Sequence, residues 1–273
     1  MTDEMERFVR ELSAQEKSEL TKEKYARDVR RFLLFAGREG LSKKTAVGWK
    51  RALAEAGYSP ASINSMLAAL NAYASFCGRE DCRVKYLKTQ RQTYCPEDRE
   101  LSRAEFFRLV EAAKNRPRLQ LMLQTIGGTG IRVSELRYFT LEAARAGEVH
   151  VSAKGKERTI LIPGRLKLRL LRYCRENGIS EGVIFRTRSG KPLDRSNLWA
   201  DMKGLCAAAG VRQGKVFPHN LRKLFARIFY DLDKDIAKLA DVLGHSSIDT
   251  TRIYIVSSGH EHRRALDRMD LVK

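Results

Sequence analysis

No stretch of this 273-residue chain approaches the ~18 consecutive apolar residues that a membrane-spanning helix needs, and no membrane partner is expected. The N-terminus, MTDEMERFVREL, lacks the basic-then-apolar order of a secretory signal, which points to a cytoplasmic protein. Cysteine is sparse and odd in number: Cys77, Cys82, Cys95, Cys174 and Cys206, with no C-x-x-C pair. That excludes a disulfide framework or a zinc ribbon and predicts free thiols and no metal. No Gly-x-x-x-x-Gly-Lys loop is present to cradle a nucleotide phosphate. Internal repeats and low-complexity segments are also missing.

Negative charge is scarce as well. Lys and Arg number 52 against 33 Asp and Glu, a net charge of +19 with a pI near 10.0. Such an excess selects a polyanionic partner, nucleic acid before any anionic surface. Residues 1–90 carry 17 basic and 12 acidic side chains, and the remaining 183 carry 35 and 21. Both parts are basic, which suits two domains gripping DNA rather than one basic tail.

What is present is mostly helical periodicity. Tyr25, Val29, Phe32, Leu33 and Phe35 recur at three- and four-residue steps. Ser18 and Thr21 stand before this run as cap candidates, with Gly37 or Gly40 to end it. Further helices are predicted from Lys43 to Ala56 and from Ser59 to Cys77, with Pro60 in a first turn that tolerates it. With an opening helix carrying Phe8, Val9 and Leu12, this makes a four-helix bundle over residues 1–90. Its Lys22, Lys24, Arg27, Lys43, Lys44, Lys50 and Arg51 are candidates to meet phosphates.

Residues 91–100 read as a linker, and Ser102 and Glu105 as a capping box opening a second domain over 101–258. Helices are expected to Lys114 and from Arg118 to Ile126, then a Gly-Gly-Thr-Gly turn and a helix starting at Arg132. The period then changes: 148–153 and 158–162 are strand-like, joined by a Lys154–Glu157 turn. Leu166–Asn177 and Ser196–Ala209 are helical again. The fold class is therefore mainly α with a small antiparallel β-sheet. Residues 259–273 form a tail with a short amphipathic helix.

The stretch 216–256 concentrates chemistry. His219 and Arg222 form a His-x-x-Arg pair, His245 follows Leu243-Gly244, and Tyr254 comes nine residues later. Upstream, Arg132 lies in TGIRVSEL. A phosphodiester undergoing transesterification gains charge on its non-bridging oxygens, and planar guanidinium forks suit that charge. A tyrosine hydroxyl, with an ordinary pKa of roughly 10, needs positive neighbours or a base to attack near neutrality. Taken alone, Tyr254 between Ile253 and Ile255 would be a core tyrosine, and Arg132 would be a salt-bridge partner of Glu135. Tyr230, eight residues after Arg222, is expected to pack, and Asp231, Asp233 and Asp235 to cap a helical turn.

TGIRVSEL, the KGKER turn, HNLR, LGHSS and the tyrosine of TTRIYI occur in this order. Together they resemble the tyrosine recombinase (phage integrase) family, which includes the Xer, Cre and conjugative-transposon integrases. The resemblance spans residues 101–258 by motif and 1–90 by the helical domain. It implies a site-specific recombinase or integrase that cuts and rejoins DNA through a covalent 3′-phosphotyrosine. Arg132, His219, Arg222 and His245 would serve the phosphate, with Tyr254 the nucleophile. A hairpin lysine would protonate the leaving 5′-oxygen. The family pattern Gly-Lys-Gly-x-Lys-x-Arg is one residue longer than Ala153–Arg158, and alignment on Lys-Gly selects Lys154, with Lys156 the alternative. Lys223 stands where the family often has another histidine.

The resemblance further implies a C-shaped clamp on double-stranded DNA, a homotetramer on two sites, and a tail exchanged between protomers. The phosphotyrosine link conserves bond energy, so no cofactor is expected. Because the chain opens almost directly on the helical domain, a simple recombinase without an additional arm-binding domain is expected. The competing readings are a non-catalytic DNA-binding relative and a type IB topoisomerase-like enzyme.

Overall fold

The computed structural model describes residues 2–88, 99–153, 156–187, 195–255 and 267–269. The chain forms two compact units, Met1–Arg91 and Gln92–Lys273. Among the described residues no helix is long and apolar enough to cross a membrane.

The first unit is four helices: α1 (Thr2–Ala14), α2 (Glu19–Ala36), α3 (Lys43–Glu55) and α4 (Pro60–Phe76). Each of the last three starts at a serine whose hydroxyl accepts a backbone N–H, namely Ser18, Ser42 and Ser59. Two apolar clusters hold the bundle, one around Phe32, Trp49, Leu67 and Leu70, the other around Phe8, Val29 and Tyr73. The side chains of Asn71 and Asn64 each exchange two hydrogen bonds with the backbone of the departing chain, at Val84 and Leu87.

All seven basic candidates of this unit have partners within it. Lys24 and Arg27 share the buried Asp28. Lys43 and Lys50 donate to the carbonyls of Arg83 and Lys85. Lys22, Lys44 and Arg51 pair with Glu19, Glu39 and Glu55. The exposed pairs cost little to break, on the order of 1 kcal/mol each.

The second unit runs through α5 (Arg103–Ala112), α6 (Pro117–Thr129), a 3-10 turn (Val133–Tyr138) and α7 (Leu141–Ala146). A hairpin of β1 (Glu148–Ala153) and β2 (Lys156–Leu161) follows, then α8 (Gly164–Glu176), α9 (Arg195–Lys203) and α10 (Cys206–Ala209). Three more helices close it: α11 (Pro218–Asp233), α12 (Ile236–Leu243) and α13 (Ile248–Ile255). The Ser102–Glu105 capping box is formed. One large core gathers Leu123, Ile126, Phe139, Phe185, Leu170 and Leu221, among others. Four described cysteines, Cys77, Cys82, Cys174 and Cys206, are free thiols.

Four local expectations are corrected. Gly127 and Gly128 do not turn the chain but lie inside α6, and only Gly130 is left-handed. Gly127 permits close packing there, since a Cβ would stand 2.6 Å from the Phe106 ring. Arg132 precedes a tightened 3-10 turn rather than an α-helix. The register pairs Ala153 with Lys156, so the second strand begins two residues early and contains Lys156. The helix expected over 196–209 is broken at Gly204 and Leu205, which lets both Met202 and Leu205 reach the core.

Candidate active site

Four helices, α6, α11, α12 and α13, and the strand β2 build the site. α6 ends at Gly130, left-handed at φ 64°, and the next residues are the buried Ile131 and the extended Arg132. Glu135, itself 4% exposed, reaches back so that its Oε2 accepts the Arg132 backbone N–H at 2.7 Å. Its Oε1 accepts from Arg132 Nη1 at 3.1 Å, the ion pair that the sequence offered as the alternative to a phosphate clamp. Oε2 also pairs with Arg158 Nη2 at 2.6 Å.

α11 starts with Pro218 at its first position and carries His219 and Arg222 one turn apart. Arg222 is 2% exposed, the largest fully buried side chain among the described residues. Its guanidinium donates to three acceptors: Gly130 O at 2.5 Å, Leu243 O at 2.6 Å and His245 Nε2 at 2.9 Å. Those carbonyls belong to the turn before Arg132 and the turn before His245. One buried fork thereby fixes both turns.

α12 starts at Asp235, whose carboxylate caps the N–H groups of Ala237 and Lys238. Asp231 and Asp233 pair with Lys234 and Lys238 instead. The helix ends at the left-handed Gly244, and His245 N folds back to Ala240 O. His245 Nδ1 lies 2.8 Å from Thr251 Oγ1. On α13, Tyr254 is 8% exposed and packs with Ala226, Leu239 and Leu243. Tyr230 packs against the same cluster.

The Tyr254 ring lies 5.0 Å from the His219 ring and 5.0 Å from the His245 ring, centroid to centroid. The Arg222 guanidinium carbon is 5.9 Å from its centre. Five of the six residues singled out from sequence are thus brought together: Arg132, His219, Arg222, His245 and Tyr254. The sixth, Lys154, lies outside the described residues, as does the tail apart from 267–269. Lys156 is the first residue of β2, and its side chain is not among those described.

Arg158, two residues further along that strand, belongs to this cluster and was not singled out from the sequence. It joins the hairpin to the centre by bonding Glu135 and donating to Val242 O at 2.7 Å. The arginine closing the KGKER turn was its only signal.

Electrostatically the site is short of negative charge. Arg132 and Arg158 share the carboxylate of Glu135, which acts on Arg222 only through space. Burial, then Arg132, pushes Arg222 down to about 10, and burial lowers Arg158 too. Burial, then Arg222, Arg132, Arg158 and His219, holds His245 down at about 4. Arg222 therefore remains a cation at neutral pH and His245 remains neutral. The Nε donors of Arg222 and Arg158 are buried with no hydrogen-bond partner. Among the described residues no group of His, Cys, Asp or Glu is arranged to hold a metal ion.

Comparison with known proteins places this geometry. The phage integrase family matches residues 99–261, and the N-terminal SAM-like domain of phage integrases matches residues 5–81. A tyrosine recombinase XerA of Thermococcus kodakarensis is 30% identical over 98% of this chain and 96% of its own length. The Pyrococcus furiosus XerA is 29% identical over 98% and 94%. In fold, the chain matches a lambda integrase (75–356) dimer bound to a COC′ core site, with TM-score 0.72 and 19% identity over 93% of this chain and 95% of that one. The Tn1549 transposon integrase, solved with transposon right end DNA, matches at 0.71 and 16% over 98% and 99%. A family match across more than half the chain, together with a relative at 30% identity along nearly all of it, makes this protein a member of the phage integrase family.

Proposed function

We propose that this protein is a tyrosine site-specific recombinase that cuts and rejoins duplex DNA through Tyr254. The observation that carries this is the placement of the Tyr254 ring between two imidazoles, beside a buried arginine, in a centre where Arg132, Arg158 and Arg222 outnumber the carboxylate of Glu135. A scissile phosphate is the substrate such a cationic centre suits. Arg132 and Arg222 hold its non-bridging oxygens, where charge builds up as the phosphorus becomes five-coordinate. His219 takes the phenolic proton as Tyr254 Oη attacks phosphorus, the bond to the 5′-oxygen breaks, and a 3′-phosphotyrosine forms. Lys154, or Lys156 in its place, protonates the departing 5′-oxygen. A 5′-hydroxyl from the partner strand then reverses each step, with no external energy source.

In this reading the helical unit over 1–90 binds the core site and the unit over 101–258 carries the chemistry. Four protomers act in pairs on two sites, joined by exchange of the tail after residue 259. The lambda integrase tetramer, solved bound to a Holliday junction, gives that assembly its precedent in the fold.

Nicked suicide duplexes, tiled across candidate sites or drawn from a random pool, test the reaction. Wild type should give a covalent protein–DNA band that survives denaturation, and Tyr254→Phe should give none. A band that persists in the mutant assigns the wrong tyrosine. No band on DNA that the protein binds would leave a DNA-binding relative without strand cleavage.

A further inference from the structure

We propose that Arg158 is a positioning residue for the phosphate site: by holding one oxygen of Glu135 it keeps that carboxylate from closing on the Arg132 side chain with both oxygens, and leaves Arg132 open to an anion. This rests on the reading of Arg132 as a phosphate clamp.

The two arginines differ in what surrounds them. The Arg158 side chain is 13% exposed and that of Arg132 46%. Arg158 spends Nη2 on Glu135 Oε2 and Nη1 on Val242 O, and its Nε is buried. Its guanidinium is therefore committed inside the protein. Arg132 uses two of its five N–H donors, on Glu135 Oε1 at 3.1 Å and on Gly244 O at 3.4 Å. It is the arginine with donors left for a ligand.

Glu135 decides whether those donors stay available. It is 4% exposed, so protein groups serve its lone pairs. Oε1 takes Arg132 Nη1, while Oε2 takes the Arg132 backbone N–H and Arg158 Nη2. The Arg158 bond, at 2.6 Å, is the shorter of the two that guanidiniums make to this carboxylate. Without it, Oε2 loses its charged partner, and Arg132 is the cation still bonded to Glu135. The preferred geometry of an arginine–carboxylate pair is a fork of two parallel bonds. Adopting that fork would tie two Arg132 donors to one buried carboxylate. From strand β2, Arg158 competes for Glu135 and holds it to a single bond with the Arg132 guanidinium.

Sulfate is the probe for the open site, used at millimolar concentration against chloride of equal ionic strength, and a nicked suicide duplex is the probe for the reaction. The variants are Arg158→Gln, Arg158→Lys and the double variant Arg158→Gln/Glu135→Gln. Sulfate should raise the melting temperature of Arg158→Gln less than that of wild type. The same variant should form the covalent adduct roughly 10- to 100-fold more slowly, the scale of one hydrogen bond to a charged group. Its crystal structure should show both Glu135 oxygens on the Arg132 side chain. Arg158→Lys, which keeps a cation for Oε2, should stay close to wild type. Removing the carboxylate as well frees Arg132, so the double variant should recover the sulfate response and react faster than Arg158→Gln. A residue that merely supports the fold would make the double variant the slower of the two, and that result overturns the proposal. If Arg158→Gln does not fold, the double variant still decides: a sulfate response near wild type supports the proposal, and its loss overturns it. Sulfate responses in the expected order, with no adduct from wild type on DNA that it binds, overturn the recombinase reading instead and leave the hold of Arg158 on Glu135 in place.

Discussion

Arg158 occupies the space that a side chain at Gly244 would need: a Cβ built on Gly244 would stand 2.5 Å from Arg158 Cδ. Gly244 also has φ 63°, so the position excludes other residues on two counts. The strand arginine and the turn before His245 thus interlock through the absence of one methyl group.

Gly244→Ala should therefore cost more than its backbone strain. The left-handed conformation alone costs about 1–2 kcal/mol, and displacing Arg158 from Glu135 and Val242 adds to that. Gly210→Ala is the matched control, with φ 60° and nothing within 4 Å of the added carbon. Denaturant midpoints should fall further for Gly244→Ala, and its adduct formation should slow while that of Gly210→Ala stays at the wild-type rate.

Glu135→Gln keeps an acceptor for the Arg132 backbone N–H but removes the carboxylate shared by Arg132 and Arg158. Leaving the buried Arg158 without its charge partner should destabilise the second unit by roughly 3 kcal/mol. Sulfate, which substitutes for the missing anion, should raise the melting temperature of this variant more than that of wild type. An equal rise in both would show that the carboxylate does not neutralise the arginines.

His245 is held at about 4, below its ordinary 6.5. Between those values the unfolded chain binds a proton that the folded chain refuses, so this group's stabilisation is complete above about 6.5 and lost as pH falls toward 4. Below that both states are protonated and the loss stops. His245→Asn should flatten that part of the stability–pH curve, as followed by urea unfolding at several pH values.

The two hairpin lysines are separable by the leaving group. Removing the general acid should slow cleavage on the order of 10²–10⁴-fold. A substrate whose bridging 5′-oxygen is sulfur leaves as a thiolate and needs no proton. Lys154→Ala should be slow on the oxygen substrate and near wild type on the sulfur one, and Lys156→Ala should show no such rescue. The reverse pattern would make Lys156 the acid.

The last prediction, loss of the covalent band in Tyr254→Phe, concerns the hydroxyl alone. The ring's packing against Ala226, Leu239 and Leu243 is kept, so melting should be nearly unchanged while adduct formation disappears.

The parts of the site legible in sequence were those with short-range signals. The His-x-x-Arg pair sits on one helical turn, and the Leu-Gly-His end of α12 needs a left-handed glycine that only that residue supplies cheaply. Caps at Ser18, Ser59 and Ser102 were equally local. Arg158 was missed because its partners, Glu135 and Val242, lie 23 and 84 residues away. The Gly-Gly-Thr-Gly run was misread for the same reason: Gly127 serves close packing against Phe106, a partner 21 positions upstream. The break at Gly204 likewise answers to core packing, which periodicity within one segment does not encode.

The chain enters the second unit already fastened to its central helix. Asn220, adjacent to His219, is 3% exposed and donates to Arg99 O at 2.7 Å, and Arg227 pairs with Glu100. The first described residues after the 89–98 segment are thus moored to the helix bearing His219 and Arg222, with no soft joint between. Residue 99 is bonded to α11, and through Arg222 that helix is bonded in turn to the Gly130 and Leu243 carbonyls. A displacement of α11 would therefore tilt the turns at Gly130 and Leu243 together rather than one at a time.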